Sequence, residues 1–246
     1  MTACVRFLRS LLCAAFFIAF GLGGLAFSAS LLLPIPRRTA RGMQRALFRL
    51  FVWLARVTGL FVVEVSPGDM DRFRGFRGSV VVANHISLID FVILISILGD
   101  SVCITKESVG RNPFMRIIAR RILVVNSGTE EVMCRAGSYL EEGVNLLVFP
   151  EGTRTPADAP VHAFKRGAAH IALNAGAPVE TIFISCDPPV LGKHQPWWDV
   201  GSRTIVYSFR YKGRIGPLAA DRGDYAALRK SARDLTRRMQ ERVFAA

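Results

Sequence analysis

Beyond Pro67 the chain alternates short apolar runs with longer amphipathic segments, and this alternation constrains its fold more than any other feature. Val80–Ala83, Val102–Thr105, Ile122–Val125, Asn145–Phe149, Val179–Cys186 and Thr204–Phe209 read as strands. Leu88–Leu98, Pro113–Arg121, Glu130–Glu142 and Lys165–Ala175 read as helices, with Pro113 suited to a first turn and Gly143 and Gly176 placed to end two of them. The predicted fold class is α/β: a mostly parallel sheet flanked by helices, with an N-terminal membrane-associated helical segment ahead of it. Asp224–Phe244 carries Leu228, Leu235 and Met239 among basic residues and predicts an amphipathic helix, either packed on the domain or lying on a membrane surface. Pro188–Gly201, with Trp197 and Trp198, reads as an irregular loop whose tryptophans tuck against the core.

The N-terminal part is set apart by charge. The formal net charge is +13, and no Asp or Glu precedes Glu64, while Arg6, Arg9, Arg37, Arg38, Arg41, Arg45, Arg49 and Arg56 all do. The uncharged stretch between Arg9 and Arg37 is long enough to cross the roughly 30 Å hydrocarbon core of a bilayer as a helix. A cleaved signal peptide fits the same residues, with Arg6 and Arg9 before the apolar run and small residues at Ala26–Ser30. Against that reading, a second apolar segment reaches from Ala46 to Val63, interrupted by Arg49 and Arg56, as an interfacial helix with snorkelling arginines would be. The expected organisation is a membrane anchor and interfacial helix over residues 1–63 and the α/β domain over residues 64–246. The basic excess after the first span places that domain on the cytoplasmic side of the cell (inner) membrane.

Cys4, Cys13, Cys103, Cys134 and Cys186 have neither CxxC nor metal-ligand spacing, and His162, His170 and His194 fall in no zinc motif, so no metal is expected. The basic residues cluster beside apolar sequence rather than on a nucleic-acid reading motif, which argues against nucleic acid as a partner and for membrane lipids.

Two polar turns follow predicted strands. In Asn84–Asp90, NHISLID, Ser87 and Asp90 have the S-x-x-D spacing of a capping box, which accounts for Ser87 and in part for Asp90 but not for His85. A histidine just outside the helix, with a carboxylate inside its first turn, can donate Nδ1–H to that carboxylate and leave Nε2 as a base. Exposed backbone N–H groups at the start of the helix would suit an oxyanion. The second turn is Phe149–Arg154, FPEGTR: Pro150 stops the strand, Gly152 permits a tight turn, and Arg154 offers a planar fork for phosphate.

NHISLID and FPEGTR resemble the first and third sequence blocks of the glycerolipid acyltransferases. Lys106–Glu107 with Pro113–Phe114 resembles the second block, and Phe164–Lys165–Arg166–Gly167 the F-K-x-G step after the third. The resemblance covers about Ser79 to Cys186. It implies transfer of a fatty acyl group from a thioester, acyl-CoA or acyl-ACP, to the hydroxyl of lysophosphatidic acid or a related lysolipid, without a separate cofactor. It implies His85 as general base and Asp90 as its orienting partner in the H-x4-D pair. Glu151, Gly152, Thr153, Arg154, Lys106 and Lys165 would bind substrate, with Arg154 near the acceptor phosphate.

The chain departs from the family in two places. The second block usually ends in Asp-Arg after an apolar pair, where this chain has Asn126–Ser127, and Thr181 stands where the fourth block usually has a second proline. These departures motivate an alternative acceptor, a lyso-aminolipid or a specialised lipid or polyketide headgroup. A non-catalytic lipid-binding protein is the alternative from another class.

Overall fold

The structure, a computed structural model, describes residues 2–107, 111, 116–126, 129–155, 163–192, 195–196, 198, 202–216 and 225–245. The elements are α1 (Thr2–Ser30), α2 (Arg37–Val57), β1 (Phe61–Val65), α3 (Pro67–Gly75), β2 (Val80–Ala83), α4 (Asp90–Ile97), β3 (Ser101–Lys106), α5 (Arg116–Ile122), β4 (Val124–Asn126), α6 (Thr129–Glu141), β5 (Asn145–Val148), α7 (Gly167–Ala175), β6 (Val179–Asp187), β7 (Ile205–Ile215) and α8 (Tyr225–Phe244). Among the described residues the strands form one sheet in the order β1-β7-β6-β2-β5-β3-β4, with every neighbouring pair parallel except β6 and β7. The mostly parallel α/β fold is therefore as predicted.

Alternate residues of the central strands enter two cores. Val81, Ala83, Leu147 and Ile182 pack with α2 and α4 on one face; Val80, Val82, Leu146 and Val179 pack with α6, α7 and α8 on the other. Both faces are covered, which is why these strands read as continuous apolar runs. In α8, Ala232, Leu235, Met239 and Val243 are buried in the second core, so this helix packs on the domain. Trp198 is about half exposed, contrary to the expectation that it tucks inside; Trp197, Pro113 and the start of its predicted helix lie outside the described residues.

The structure divides the apolar segment Ala46–Val63 between α2 and a strand that the sequence pattern does not reveal. Gly59, at φ 69°, donates to Arg56 O and Leu60 donates to Ala55 O, a Schellman arrangement that ends α2. The β-branched Val62 and Val63 then continue as β1, paired with β7. Helix α3 is a second element beyond the predicted set. Ser66 accepts from Asp69 N–H at 3.1 Å and Pro67 occupies the first turn.

Helices α1 and α2 pack through aromatic rings, with Phe16 and Phe20 centred 4.6 and 4.2 Å from Phe51. Arg9 donates to Gly59 O, Leu60 O and Arg203 O, which ties the beginning of α1 to β1 and β7. Phe7–Ser30 is long and apolar enough to cross a membrane, and little of it is buried.

Candidate active site

The site forms where two chain crossovers diverge. After β2 the chain crosses through α4 on one face to β3; after β5 it crosses through α7 on the other face to β6. Such a switch point opens a crevice at the carboxyl ends of the two strands. Here the strands are neighbours, with Val80 opposite Leu146 and Val82 opposite Val148. The offset of 66 residues persists beyond the strands, because His85 N–H donates to Glu151 Oε1 at 2.9 Å. Thr155 N–H returns to His85 O at 2.8 Å, so the NHISLID and FPEGTR turns are joined through backbone groups. Asn84 fixes the exit from β2 by bonding both N–H and O of Ile184 on β6, at 2.7 and 2.8 Å.

His85 Nδ1 lies 3.0 Å from Asp90 Oδ2, the approach that the i, i+5 spacing predicted. The same oxygen accepts the backbone N–H groups of Ile86 and Ser87, both at 2.8 Å. Asp90 is fully buried and His85 is 21% exposed. Two backbone donors already on this oxygen favour Asp90 as an acceptor toward the ring as well, the arrangement that places N–H on Nδ1 and leaves Nε2 free to accept a proton. The ring also stacks on Phe149, with centroids 4.3 Å apart and planes 24° from parallel.

The capping box is only half present. Asp90 reaches back to the Ser87 N–H, but the Ser87 hydroxyl turns into the core and bonds Tyr207 Oη at 2.8 Å, and no side chain caps α4. The backbone N–H groups expected to serve an oxyanion are also committed: Ile86 and Ser87 to Asp90, Leu88 to Leu191 O, and Ile89 to Ser87 Oγ. The carboxylate that orients His85 uses the very donors that the exposed-helix reading had left open.

Glu151 is 4% exposed, and its second carboxyl oxygen accepts the Thr155 hydroxyl. Burial pushes its pKa up to about 7; the His85 N–H opposes that shift and the charge of Asp90 adds to it. Its bonds run to the chain around His85, which makes it a brace between the two turns. Gly152 adopts φ 68°, and a Cβ there would stand 2.8 Å from Lys165 Nζ, so the lysine lies across the glycine. Lys106, Thr105, Gly152 and Lys165 line a cavity of about 260 Å³ that Phe149 also walls. The Thr105 hydroxyl there is buried and has no hydrogen-bond partner among the described residues. Phe149 thus borders both the cavity and the His85 ring.

Arg154 stands apart from that cavity. Its guanidinium donates to Leu191 O and Gly192 O at 2.8 and 3.0 Å, holding the loop that also receives the Leu88 N–H. Arg121, near the end of α5, is likewise bound to backbone, donating to Leu31 O and Leu33 O just beyond α1. The residues that sequence reasoning missed are Phe149, Thr155 and Tyr207. Two of them border or belong to the FPEGTR turn, and that adjacency was the available signal; Tyr207 carries none, since it meets Ser87 only through the sheet.

A buried Asp thus fixes a histidine at the carboxyl edge of an α/β sheet, near a cavity lined by two lysines, and the sequence relatives make the chain an acyltransferase. Residues 68–185 match the sequence profile of the Acyltransferase family. The chain is 28% identical over 231 residues to the mouse 1-acyl-sn-glycerol-3-phosphate acyltransferase alpha, covering 89% of this chain and 78% of that protein. It is 30% identical over 174 residues to the lyso-ornithine lipid O-acyltransferase of Pseudomonas aeruginosa, covering 68% of this chain and 64% of that one. In fold it is similar to the 1-acyl-sn-glycerophosphate (LPA) acyltransferase PlsC of Thermotoga maritima, with TM-score 0.66, 24% identity and 98% of each chain covered. The chain belongs to the glycerolipid acyltransferase family.

Proposed function

We propose that this protein is a membrane-bound O-acyltransferase that moves a fatty acyl group from acyl-CoA or acyl-ACP to the free hydroxyl of lysophosphatidic acid or a related lysolipid, in phospholipid biosynthesis. The observation that carries the reading is the His85–Asp90 pair at 3.0 Å, held by two further N–H bonds. A lipid hydroxyl is too weakly acidic to attack a thioester unaided. In this reading Nε2 of His85 takes the hydroxyl proton as the oxygen bonds to the thioester carbonyl carbon. The C–S bond then breaks, and the imidazolium returns the proton to the departing thiolate, giving an ester and a thiol. Asp90 stabilises the transient imidazolium. The thioester is already activated, so the reaction needs no resident cofactor.

Lys106, Lys165 and Gly152 are assigned to the acceptor phosphate and glycerol, which the small basic cavity supports, and Thr153, next to Gly152 but outside the cavity lining, to the same acceptor. Arg154 is assigned to holding the acceptor-side loop through its carbonyls, and Glu151 to positioning His85. Location at the inner membrane, with the catalytic domain on the cytoplasmic side, is supported by the exposed apolar surface of α1 and by the arginines that follow it. The test is a panel of lyso-acceptors, lysophosphatidic acid and a lyso-ornithine lipid among them, with acyl-CoA and acyl-ACP, read by mass spectrometry of the products. Acylation of lysophosphatidic acid that disappears in His85→Ala is the expected result; wild-type turnover by purified His85→Ala protein would refute the mechanism.

A further inference from the structure

At the opposite end of the sheet from His85, five arginines converge on one cleft. Arg38, Arg45 and Arg49 come from α2, Arg74 from α3 and Arg77 from the link to β2, and together they line a cavity of about 590 Å³ closed by Leu98, Gly99 and Asp100 before β3. Asp100, the one carboxylate in the lining, is already committed, since Arg41 engages both its oxygens at 2.8 Å. Arg49 and Arg77 use one nitrogen each on backbone carbonyls, Ser96 O for the first and Arg74 O and Phe76 O for the second. Arg38, Arg45 and Arg74 have no side-chain partner among the described residues. Burial first, then the charges of Arg45 and Arg74, lower the pKa of Arg49, so both neighbours' charges reach its guanidinium. Like charges gathered in one cleft raise the local positive potential and attract an anion that several guanidinium groups can share.

The surroundings identify the anion's source. Arg38, Gly42, Arg45 and Arg49 recur at helical spacing and form one stripe of α2. The adjacent stripe is apolar and exposed: Met43, Leu50, Trp53, Leu54 and Val57. It adjoins α1, whose Leu11, Ile18, Leu22 and Leu25 are also exposed. A soluble phosphate would use the arginines and leave this apolar border in water, whereas a phospholipid uses both.

We propose that the arginine cleft binds the phosphodiester headgroup of an anionic membrane phospholipid, distinct from the acceptor at His85, with its acyl chains along the exposed face of α2. The inference rests on the reading that the enzyme works at a bilayer. A headgroup held at this end of α2 sets the angle at which the helix lies in the interface and hence how the catalytic end of the sheet meets it.

Flotation of the full-length protein with vesicles of phosphatidylcholine alone, or mixed with phosphatidylglycerol, tests the site. Each basic residue at a charged surface contributes about fivefold in partitioning, so Arg38→Gln/Arg45→Gln/Arg74→Gln should lower binding to the mixed vesicles about a hundredfold at low salt. Binding to phosphatidylcholine, and turnover in neutral detergent micelles, should not change, because none of the three side chains bonds another described residue. Equal binding of wild type to both vesicles overturns the site, as does an equal loss from Arg233→Gln/Arg237→Gln/Arg238→Gln on α8. If inorganic phosphate raises the melting temperature of wild type but not of the triple variant, while both bind mixed vesicles alike, the cleft takes free phosphate and the lipid assignment is wrong. Failure of wild type to bind either vesicle removes the bilayer reading itself, and this inference with it.

Discussion

Replacing Asp90 with Asn tests what this carboxylate contributes apart from orientation. In the Ser-His-Asp triad an amide in place of the carboxylate imposes the wrong tautomer on the histidine, at a cost of about 10⁴ in kcat. Here an amide with its NH2 toward the ring is opposed, because Asp90 Oδ2 also accepts two backbone N–H groups at 2.8 Å, and an NH2 in its place would face two donors. The carbonyl oxygen of the introduced amide therefore keeps the position of Oδ2, and Nδ1 keeps its proton. What is lost is the negative charge 3.0 Å from the imidazolium, worth about 5 kcal/mol at an effective dielectric near 20. Part of this remains in the amide dipole, so kcat should fall by about 10²–10³, or about 3–4 kcal/mol, with KM unchanged. Initial rates with a labelled acyl thioester measure it, and circular dichroism checks that the fold is intact. A loss as large as that of His85→Ala would mean that the tautomer was not protected; an unchanged kcat would mean that Asp90 does not stabilise the cation.

The Glu151 carboxyl, raised to about 7 by burial, makes stability depend on pH. The folded state binds this proton more tightly, so the contribution is fully present below the ordinary glutamate pKa and is lost as pH rises through about 7; the change is about 3 kcal/mol. Denaturant unfolding at pH 5 and pH 8 should show this slope in wild type and its loss in Glu151→Gln, and parallel slopes would disprove it. Tyr207→Phe strands the buried Ser87 hydroxyl and should cost about 1–3 kcal/mol, whereas adding Ser87→Ala should recover part of that; strict additivity in thermal unfolding would contradict the pairing. Gly152→Ala puts a Cβ 2.8 Å from Lys165 Nζ at a left-handed backbone position, so KM for a phosphate-bearing acceptor should rise severalfold, and an unchanged KM would remove Lys165 from the acceptor site.

What could be read from the sequence was what depends on nearby residues. His85 and Asp90 are five apart, so one helix start brings them together whatever surrounds it. The central strands announced themselves because both their faces are buried. Strand β1 was hidden because Val62 and Val63 continue the apolar character of α2, and Thr58–Gly59 alone marks the break. The Ser66–Pro67–Gly68–Asp69 start of α3 is a readable cap that periodicity alone passes over. The Phe149 stack and the Ser87–Tyr207 bond span 64 and 120 residues and exist only through strand pairing. The carbonyls held by Arg154 leave no trace in side-chain chemistry, so its charge points to a phosphate while the fold also supplies backbone partners.

The ladder between β2 and β5 has a consequence for how such an enzyme can diversify. The residues between His85 and Glu151 make an excursion, through α4, β3, α5, β4 and α6, that ends on the strand beside the one it left. Its length does not set the register of the site, because the His85 and Glu151 turns are aligned by hydrogen bonds across one strand pair and not by the chain that separates them. Changes within the excursion, which contributes Lys106 to the basic cavity, therefore leave His85 and its Glu151 brace in register.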